Sequence, residues 1–261
     1  MSKFEKVALV TGGGSGIGRA VSKRLAQDGM AVCVADIIAD KAQAVAAEIK
    51  EAGGEAIAIQ VDVTSPESQD KMFAAVLEAY GRLDCVASNA GILRNDPFTM
   101  ISYETWDRLM SINLDGFVLC AQKAAEIMIK QGWGGKIGFT LSQGGFAEND
   151  NATVSYLVSK WAGRGLLRSL AVKLAPYGIN VNGIGPGNIP TPMLDQIITD
   201  FAQAAGAPTE AIAASMETMA PLGRLQPAEE MAALYSYLFS DKAKNMTGFT
   251  IIDNGAGLLG G

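Results

Sequence analysis

Val7-Ala8-Leu9-Val10-Thr11-Gly12-Gly13-Gly14-Ser15-Gly16-Ile17-Gly18-Arg19-Ala20-Val21 is an apolar strand that runs through glycines into a helix. Such a turn presents free backbone N–H groups and the positive end of a helix dipole to an anion. Gly12 permits the tight turn, Gly16 leaves room for a pyrophosphate, and Gly18 lets helix and strand pack closely. The spacing is G-x-x-x-G-x-G rather than G-x-G-x-x-G, which points to a particular branch of dinucleotide binders. Taken alone, the run also reads as a glycine-rich turn; the strand before it and the helix after it favour the nucleotide.

The next strand strengthens that reading. Ala31-Val32-Cys33-Val34-Ala35 reads as a buried parallel strand, and Asp36 sits at its carboxyl end, where a ribose-binding acid belongs. An acid there accepts hydrogen bonds from ribose hydroxyls and repels a 2′-phosphate. Ser15, Ile37 and Ile38 supply no basic side chain to receive one, so NAD is expected over NADP. The ordinary alternative for Asp36 is a cap or loop aspartate.

At 261 residues and 49% apolar, the chain suits one large α/β domain with its sheet covered on both faces. The net charge of −6 opposes general affinity for nucleic acid or anionic membranes. No run is long enough for a membrane span and no N-terminal stretch resembles a signal peptide, so a cytoplasmic protein is expected. Cys33, Cys85 and Cys120 sit in apolar patterns and read as buried thiols in a reducing compartment. The chain has no histidine, which excludes a Ser-His-Asp triad and histidine-ligated zinc; no metal is expected. Proton transfer must then fall to Tyr, Lys, Cys or a carboxylate.

Strand and helix patterns alternate throughout. Strands are expected at Lys6–Thr11, Ala31–Asp36, Ala56–Val61, Leu83–Ser88, Lys136–Ser142, Ile179–Ile184 and Phe249–Asp253. Helices are expected at Ile17–Asp28, Asp40–Ala52, Pro66–Tyr80, Ser102–Lys130, Val154–Ala175 and Pro227–Phe239. This rhythm predicts a doubly wound, Rossmann-like parallel sheet of about seven strands with ligands outside the strands' carboxyl ends. Two stretches break it: the polar Gly144–Asn151, and an insertion over about 188–224 in which Thr191-Pro192 reads as a helix start and Leu194, Ile197, Ile198 and Phe201 follow helical spacing.

Tyr156 and Lys160 stand four apart in a helical segment and so share one face. A free tyrosine titrates near pH 10, and a neighbouring ammonium would bring it toward neutrality by stabilising phenolate. Such a pair can take a proton from an alcohol or return one to an alkoxide. Ser142 ends the fifth strand, where a hydroxyl can donate to a substrate oxygen. Taken singly, Ser142 reads as a strand-end turn residue and Asn113 as a solvated helix residue.

Together these positions resemble the short-chain dehydrogenase/reductase family over essentially the whole chain. Thr11 to Gly18, including Ser15 and Ile17, matches the family's cofactor loop; Asp62-Val63 matches its adenine-contacting pair, and Asn89-Ala90-Gly91 the motif after the fourth strand. Asn113, Ser142, Tyr156 and Lys160 fall where the family keeps its catalytic four. Pro186-Gly187, followed by Ile189 and Thr191, matches the segment that holds the nicotinamide carboxamide. The resemblance implies Tyr156 as general acid/base, Lys160 lowering its pKa and binding the nicotinamide ribose, and Ser142 orienting the substrate oxygen. It implies that Asn113 helps hold a water in a proton relay, and that the chain forms a homotetramer in which the helices Ser102–Lys130 and Val154–Ala175 pair. The apolar stretch Ala256-Gly257-Leu258-Leu259 fits such burial. The chain departs from the family at three points: Phe139-Thr140-Leu141-Ser142-Gln143 lacks the frequent Asn and paired serines, Ser142 and Tyr156 are about one residue further apart than usual, and Asp253-Asn254-Gly255 replaces Asp-Gly-Gly.

The expected activity is hydride transfer between NAD(H) and a secondary alcohol/ketone pair, with a small diol, polyol or hydroxyketone as leading substrate class. A 3-oxoacyl-thioester reductase, a hydroxysteroid-type dehydrogenase and a catalytically silent NAD-binding regulator are the alternatives. Pocket walls are expected from Ile92, Leu93 and the stretch Gln143–Asp150, which includes Gly144 and Asn149; the polar run Glu148-Asn149-Asp150-Asn151 could bind substrate hydroxyls, with a solvated turn as its plainer reading. An apolar, methionine-bearing lid should add Met193, Leu194, Met216 and Met219; an amphipathic helix pair on the body is its plainer reading.

Overall fold

Alternation along the first strand decides how the layers stack. In β1 (Val7–Thr11), Val7 and Leu9 enter one apolar cluster while Ala8 and Val10 enter another, because successive strand side chains point to opposite faces. The computed structural model describes residues 4–94, 97–146 and 154–257. Six further strands join β1: β2 (Ala31–Asp36), β3 (Glu55–Gln60), β4 (Cys85–Ser88), β5 (Gly135–Thr140), β6 (Ile179–Pro186) and β7 (Thr250–Asp253). All pair in parallel, in the order β3-β2-β1-β4-β5-β6-β7. This is the expected Rossmann-like sheet.

Each crossover needs a helix, and the helices cover both faces. Helices α1 (Gly16–Gln27), α2 (Ala39–Glu51) and α9 (Ala228–Phe239) bury Leu25, Val45 and Tyr235 against Ala8, Val10 and Val32. On the other face, α3 (Pro66–Tyr80), α5 (Gly116–Gln131) and α6 (Val154–Leu174) bury Phe73, Phe117 and Leu167 against Val7, Leu9 and Phe139. The single helix expected over Ser102–Lys130 is α4 (Tyr103–Met110), a π-helical turn at Ser111–Asp115, and α5. The inserted stretch holds α7 (Pro192–Ala205) and α8 (Thr209–Thr218). Helix α7 begins at Pro192 as expected, but Thr191 makes no side-chain cap; its hydroxyl donates to Ile189 O at 3.3 Å.

The strand order reverses beside β1, whose neighbours are β2 and β4. Loops leaving β1 and β4 must diverge there, which opens a crevice at the carboxyl ends of the strands.

Cys33, Cys85 and Cys120 are free and buried in the two cores. Burial pushes the Cys85 and Cys120 thiols up to about 12, and it raises Cys33, Tyr80 and Tyr235 as well. Each of these groups keeps its proton in the folded chain at a pH where the unfolded chain has lost it. Stability is therefore lost as pH rises past the unfolded values. Burial raises Tyr156 in the same sense; Lys160, held down at about 8 from 10.5, and Lys136, also lowered by burial, act in the opposite sense and are outnumbered by the raised thiols and phenols. The melting temperature is expected to fall from about pH 8.5 upward, as unfolded thiols begin to ionise. A melting temperature that stays level or rises to pH 11 would contradict this account.

Candidate active site

An 830 Å³ cavity lies along the carboxyl ends of the central strands. Sixteen of the residues read from the sequence as cofactor contacts or acid/base groups line it, from Gly12 and Asp36 at one end to Ile189 and Thr191 at the other. Gly18 does not; it sits behind the wall, where an added Cβ would stand 2.1 Å from Gly12 O. The close approach at that glycine is between α1 and the glycine turn that follows β1. Gly12 and Gly16 adopt φ of +63° and +50°, and a Cβ on Gly16 would press on Thr191 at 3.0 Å. Only glycine keeps this channel open. Ser15 caps α1 without a side-chain bond, so the helix's first amides face the channel without a local acceptor.

Asp36 shapes the turn as well as lining it. Its Oδ2 accepts from Gly14 N at 2.9 Å and its Oδ1 from Ile38 N at 3.0 Å. Lys41, in the first turn of α2, lines the same wall. Sequence reading missed it because the fold, not the spacing, brings it back beside Gly14. Asp62 lines the channel nearby and is held by Thr64, whose N–H and hydroxyl donate to its Oδ1 at 2.9 and 2.7 Å. Val63 packs on Gly116 at the start of α5.

Asn89 fastens the switch point. Its Nδ2 donates to Thr11 O at 3.1 Å, and its Oδ1 accepts from the Thr140 hydroxyl at 2.9 Å. The N–H groups of Asn89 and Ala90 share the Thr11 hydroxyl at 3.0 and 3.2 Å. Gly91 follows, where a Cβ would come within 3.3 Å of Asn113 Oδ1 and 3.7 Å of Lys160 Nζ.

Ser142, Tyr156 and Lys160 meet in the cavity. The Ser142 hydroxyl accepts from Gly144 N at 3.2 Å and is hydrogen-bonded to the Tyr156 phenol. Lys160 Nζ donates to Thr140 O at 3.0 Å and lies 5.4 Å from the Tyr156 ring centre. Asn113 is fully buried, which corrects its reading as a solvated helix residue. Its Nδ2 donates to Ile92 O and Ser159 Oγ at 2.9 and 3.2 Å, and its Oδ1 accepts from Ile92 N at 2.8 Å. The π-helical turn around it interrupts the normal carbonyl ladder, a feature common at functional sites and invisible to apolar spacing.

The site's own electrostatics run opposite to the expected lowering of the phenol. Burial pushes Tyr156 up, opposed by the Ser142 hydrogen bond, and burial holds Lys160 down at about 8. Desolvation penalises phenolate and ammonium alike, although the Lys160 ammonium stands over the Tyr156 ring, 5.4 Å from its centre.

Beyond the phenol, Leu93, Gln143, Gly144, Met193 and Leu194 line the cavity as read from the sequence, with Met216 and Met219 of the inserted stretch. Ile197 and Phe201 extend the α7 wall, and Arg108 joins them, unforeseen because α4 reaches the cavity only through folding. The polar run Glu148–Asn151, including Asn149, and the leucines 258 and 259 lie outside the described residues. Among the described residues no cluster of potential metal ligands occurs. The open glycine channel, exposed helix amides and terminal aspartate fit a dinucleotide.

The family model described as short chain dehydrogenase matches residues 6–201. A 2,5-dichloro-2,5-cyclohexadiene-1,4-diol dehydrogenase of Sphingobium indicum is 34% identical, across 96% of this chain and 95% of its own. A 3-oxoacyl-[acyl-carrier-protein] reductase of Staphylococcus aureus is 35% identical, across 97% and 98%. Levodione reductase superposes with a TM-score of 0.91 at 32% identity, covering 97% of each chain.

Proposed function

The chain belongs to the short-chain dehydrogenase family, and from that premise we propose that it moves a hydride between NAD(H) and a secondary alcohol/ketone pair. The leading substrate is a small diol, polyol or hydroxyketone. The observation that carries the reading is the meeting of Ser142, Tyr156 and Lys160 in one cavity with the glycine channel and Asp36. When bound, the nicotinamide ring supplies the hydride-accepting or hydride-donating carbon. Ser142 holds the substrate oxygen, and Tyr156 takes the hydroxyl proton in oxidation or returns it in reduction. Lys160 binds ribose, and its charge favours phenolate. Buried Asn113 braces Ile92 and the neighbourhood of Lys160, where it supports a water relay.

Asp36 supports NAD over NADP by at least tenfold in kcat/KM, about 1.4 kcal/mol. Asp36→Ala should shrink the ratio by admitting NADP, with Lys41 placed to meet a 2′-phosphate; adding Lys41→Ala should reverse that gain. Equal efficiency with both cofactors in the unmodified chain would sink the assignment.

Substrate class is tested on one panel, comparing kcat/KM for simple secondary alcohols, diols, sugar alcohols, hydroxysteroids and 3-hydroxyacyl thioesters. The apolar wall and polar Ser142–Gln143 edge, with the diol dehydrogenase relative, support a diol-sized substrate. The 3-oxoacyl reductase relative supports the second reading, a thioester reductase. A hundredfold advantage for thioesters would establish that second reading. NADH binding without turnover of any alcohol or ketone would instead point to a silent regulator.

The same premise supports a cytoplasmic homotetramer whose inserted helices α7 and α8 close over substrate. Val118 of α5 and Val154, Val158, Trp161 and Val172 of α6 are exposed, an apolar surface suited to burial between copies. Light scattering at micromolar concentration should give about four times 27.3 kDa, and the mass of a single chain would refute it.

A further inference from the structure

Gln143 and Asn254, each in a segment where the chain departs from the family pattern, touch one another. Asn254 Nδ2 donates to Gln143 Oε1 at 3.0 Å across 111 residues of sequence. Asn254 is 7% exposed, seated where the β6–β7 pairing continues past the strand ends through Gly187 N donating to Asp253 O at 3.1 Å. Gly187 leaves room for it: a Cβ there would stand 2.9 Å from Asn254 Cβ and 3.5 Å from Gln143 Oε1. Asp253 is itself held by Gln226 Nε2.

This bond gives the Gln143 carboxamide a polarity. With Oε1 turned to Asn254, the two Nε2 hydrogens remain for the cavity that Gln143 lines directly after Ser142. Among the described residues Nε2 makes no hydrogen bond. A fixed donor beside the residue that holds the reacting oxygen matches a second oxygen on the adjacent carbon. We propose that Asn254 is a positioning residue that orients Gln143 as the donor to the neighbouring oxygen of a vicinal diol or hydroxyketone. The inference rests on the substrate class proposed above and names the residues that read it. A site built to bond a second oxygen rejects the analogue lacking it more strongly than an apolar pocket rejects a missing methylene.

The test compares 3-hydroxy-2-butanone with 2-butanone by kcat/KM. It also compares 2,3-butanediol with 2-butanol by dissociation constant from the NADH-loaded enzyme, where no turnover occurs. The unmodified chain should favour the two-oxygen probe at least tenfold in both measurements. Asn254→Gly should cut that preference severalfold while leaving 2-butanone turnover near its original value. Gln143→Ala should lose that preference as well, and the double variant should lose no more of it than either single one. Asn254→Asp keeps the side chain's size and shape but leaves a partner that only accepts, so it should draw Nε2 away and lose the preference; packing alone would not predict this. A preference near one in the unmodified chain overturns the substrate class and the donor with it. A strong preference that survives Asn254→Gly but not Gln143→Ala overturns the positioning role alone.

Discussion

Replacing Tyr156 by phenylalanine is expected to lower kcat/KM at least about a hundredfold while leaving NADH affinity within a few-fold, since general acid/base groups contribute roughly 10²–10⁴. The ring's packing remains and only the hydroxyl goes. That hydroxyl is hydrogen-bonded to Ser142, so it is the titratable atom at the place where a substrate oxygen would be held. Lys160→Ala should reduce turnover and NADH affinity together, because a buried ammonium that reaches the channel touches more than the phenol. In the unmodified chain, alcohol oxidation should speed up as pH rises, since the phenol must be unprotonated to accept a proton. Steady-state kinetics with NADH fluorescence titration measures all three. A Phe variant that keeps a tenth or more of its turnover would remove Tyr156 from the chemistry.

Gly18→Ala should have the next largest effect, and on a different quantity. Its Cβ would stand 2.1 Å from Gly12 O and 2.7 Å from Gly12 C, both backbone atoms that cannot rotate aside. The turn must then move away from α1, distorting the amides that face the channel. Overpacking of this kind costs about 1–3 kcal/mol of stability, and NADH affinity should fall at least tenfold. Gly165→Ala, inside α6 with nothing of its own chain within 4 Å of an added Cβ, is the control for NADH affinity, which should not change. Unchanged NADH affinity in Gly18→Ala would refute the close-packing role assigned to that glycine.

Local signals in the chain carried the sheet and the cofactor channel. Period-two alternation in β1, the glycine spacing and the acid ending β2 are all short-range features, and the backbone imposes them wherever the chain goes. The same holds for Tyr156 and Lys160, whose shared face follows from helical geometry alone. Asn113 shows the limit. Its spacing suits an exposed helix position, yet a π-helical turn and the approach of Ile92 and Ser159 bury it completely. Lys41 and Arg108 were missed for a related reason, since a single charged residue on a helix looks solvated until folding decides what its wall faces.

By itself the sequence determined the parallel α/β architecture, the dinucleotide channel and the Tyr-x-x-x-Lys pair, because each depends on neighbours within about one helical turn or one strand. Tertiary structure alone decided the environment of those residues. Burial raised the Tyr156 phenol and lowered Lys160, against the expectation from their spacing, because desolvation is a property of everything packed around a charge. It also joined Gln143 to Asn254, a contact between strand ends far apart in sequence. Such contacts are set by the order of strands in the sheet, which no local pattern encodes.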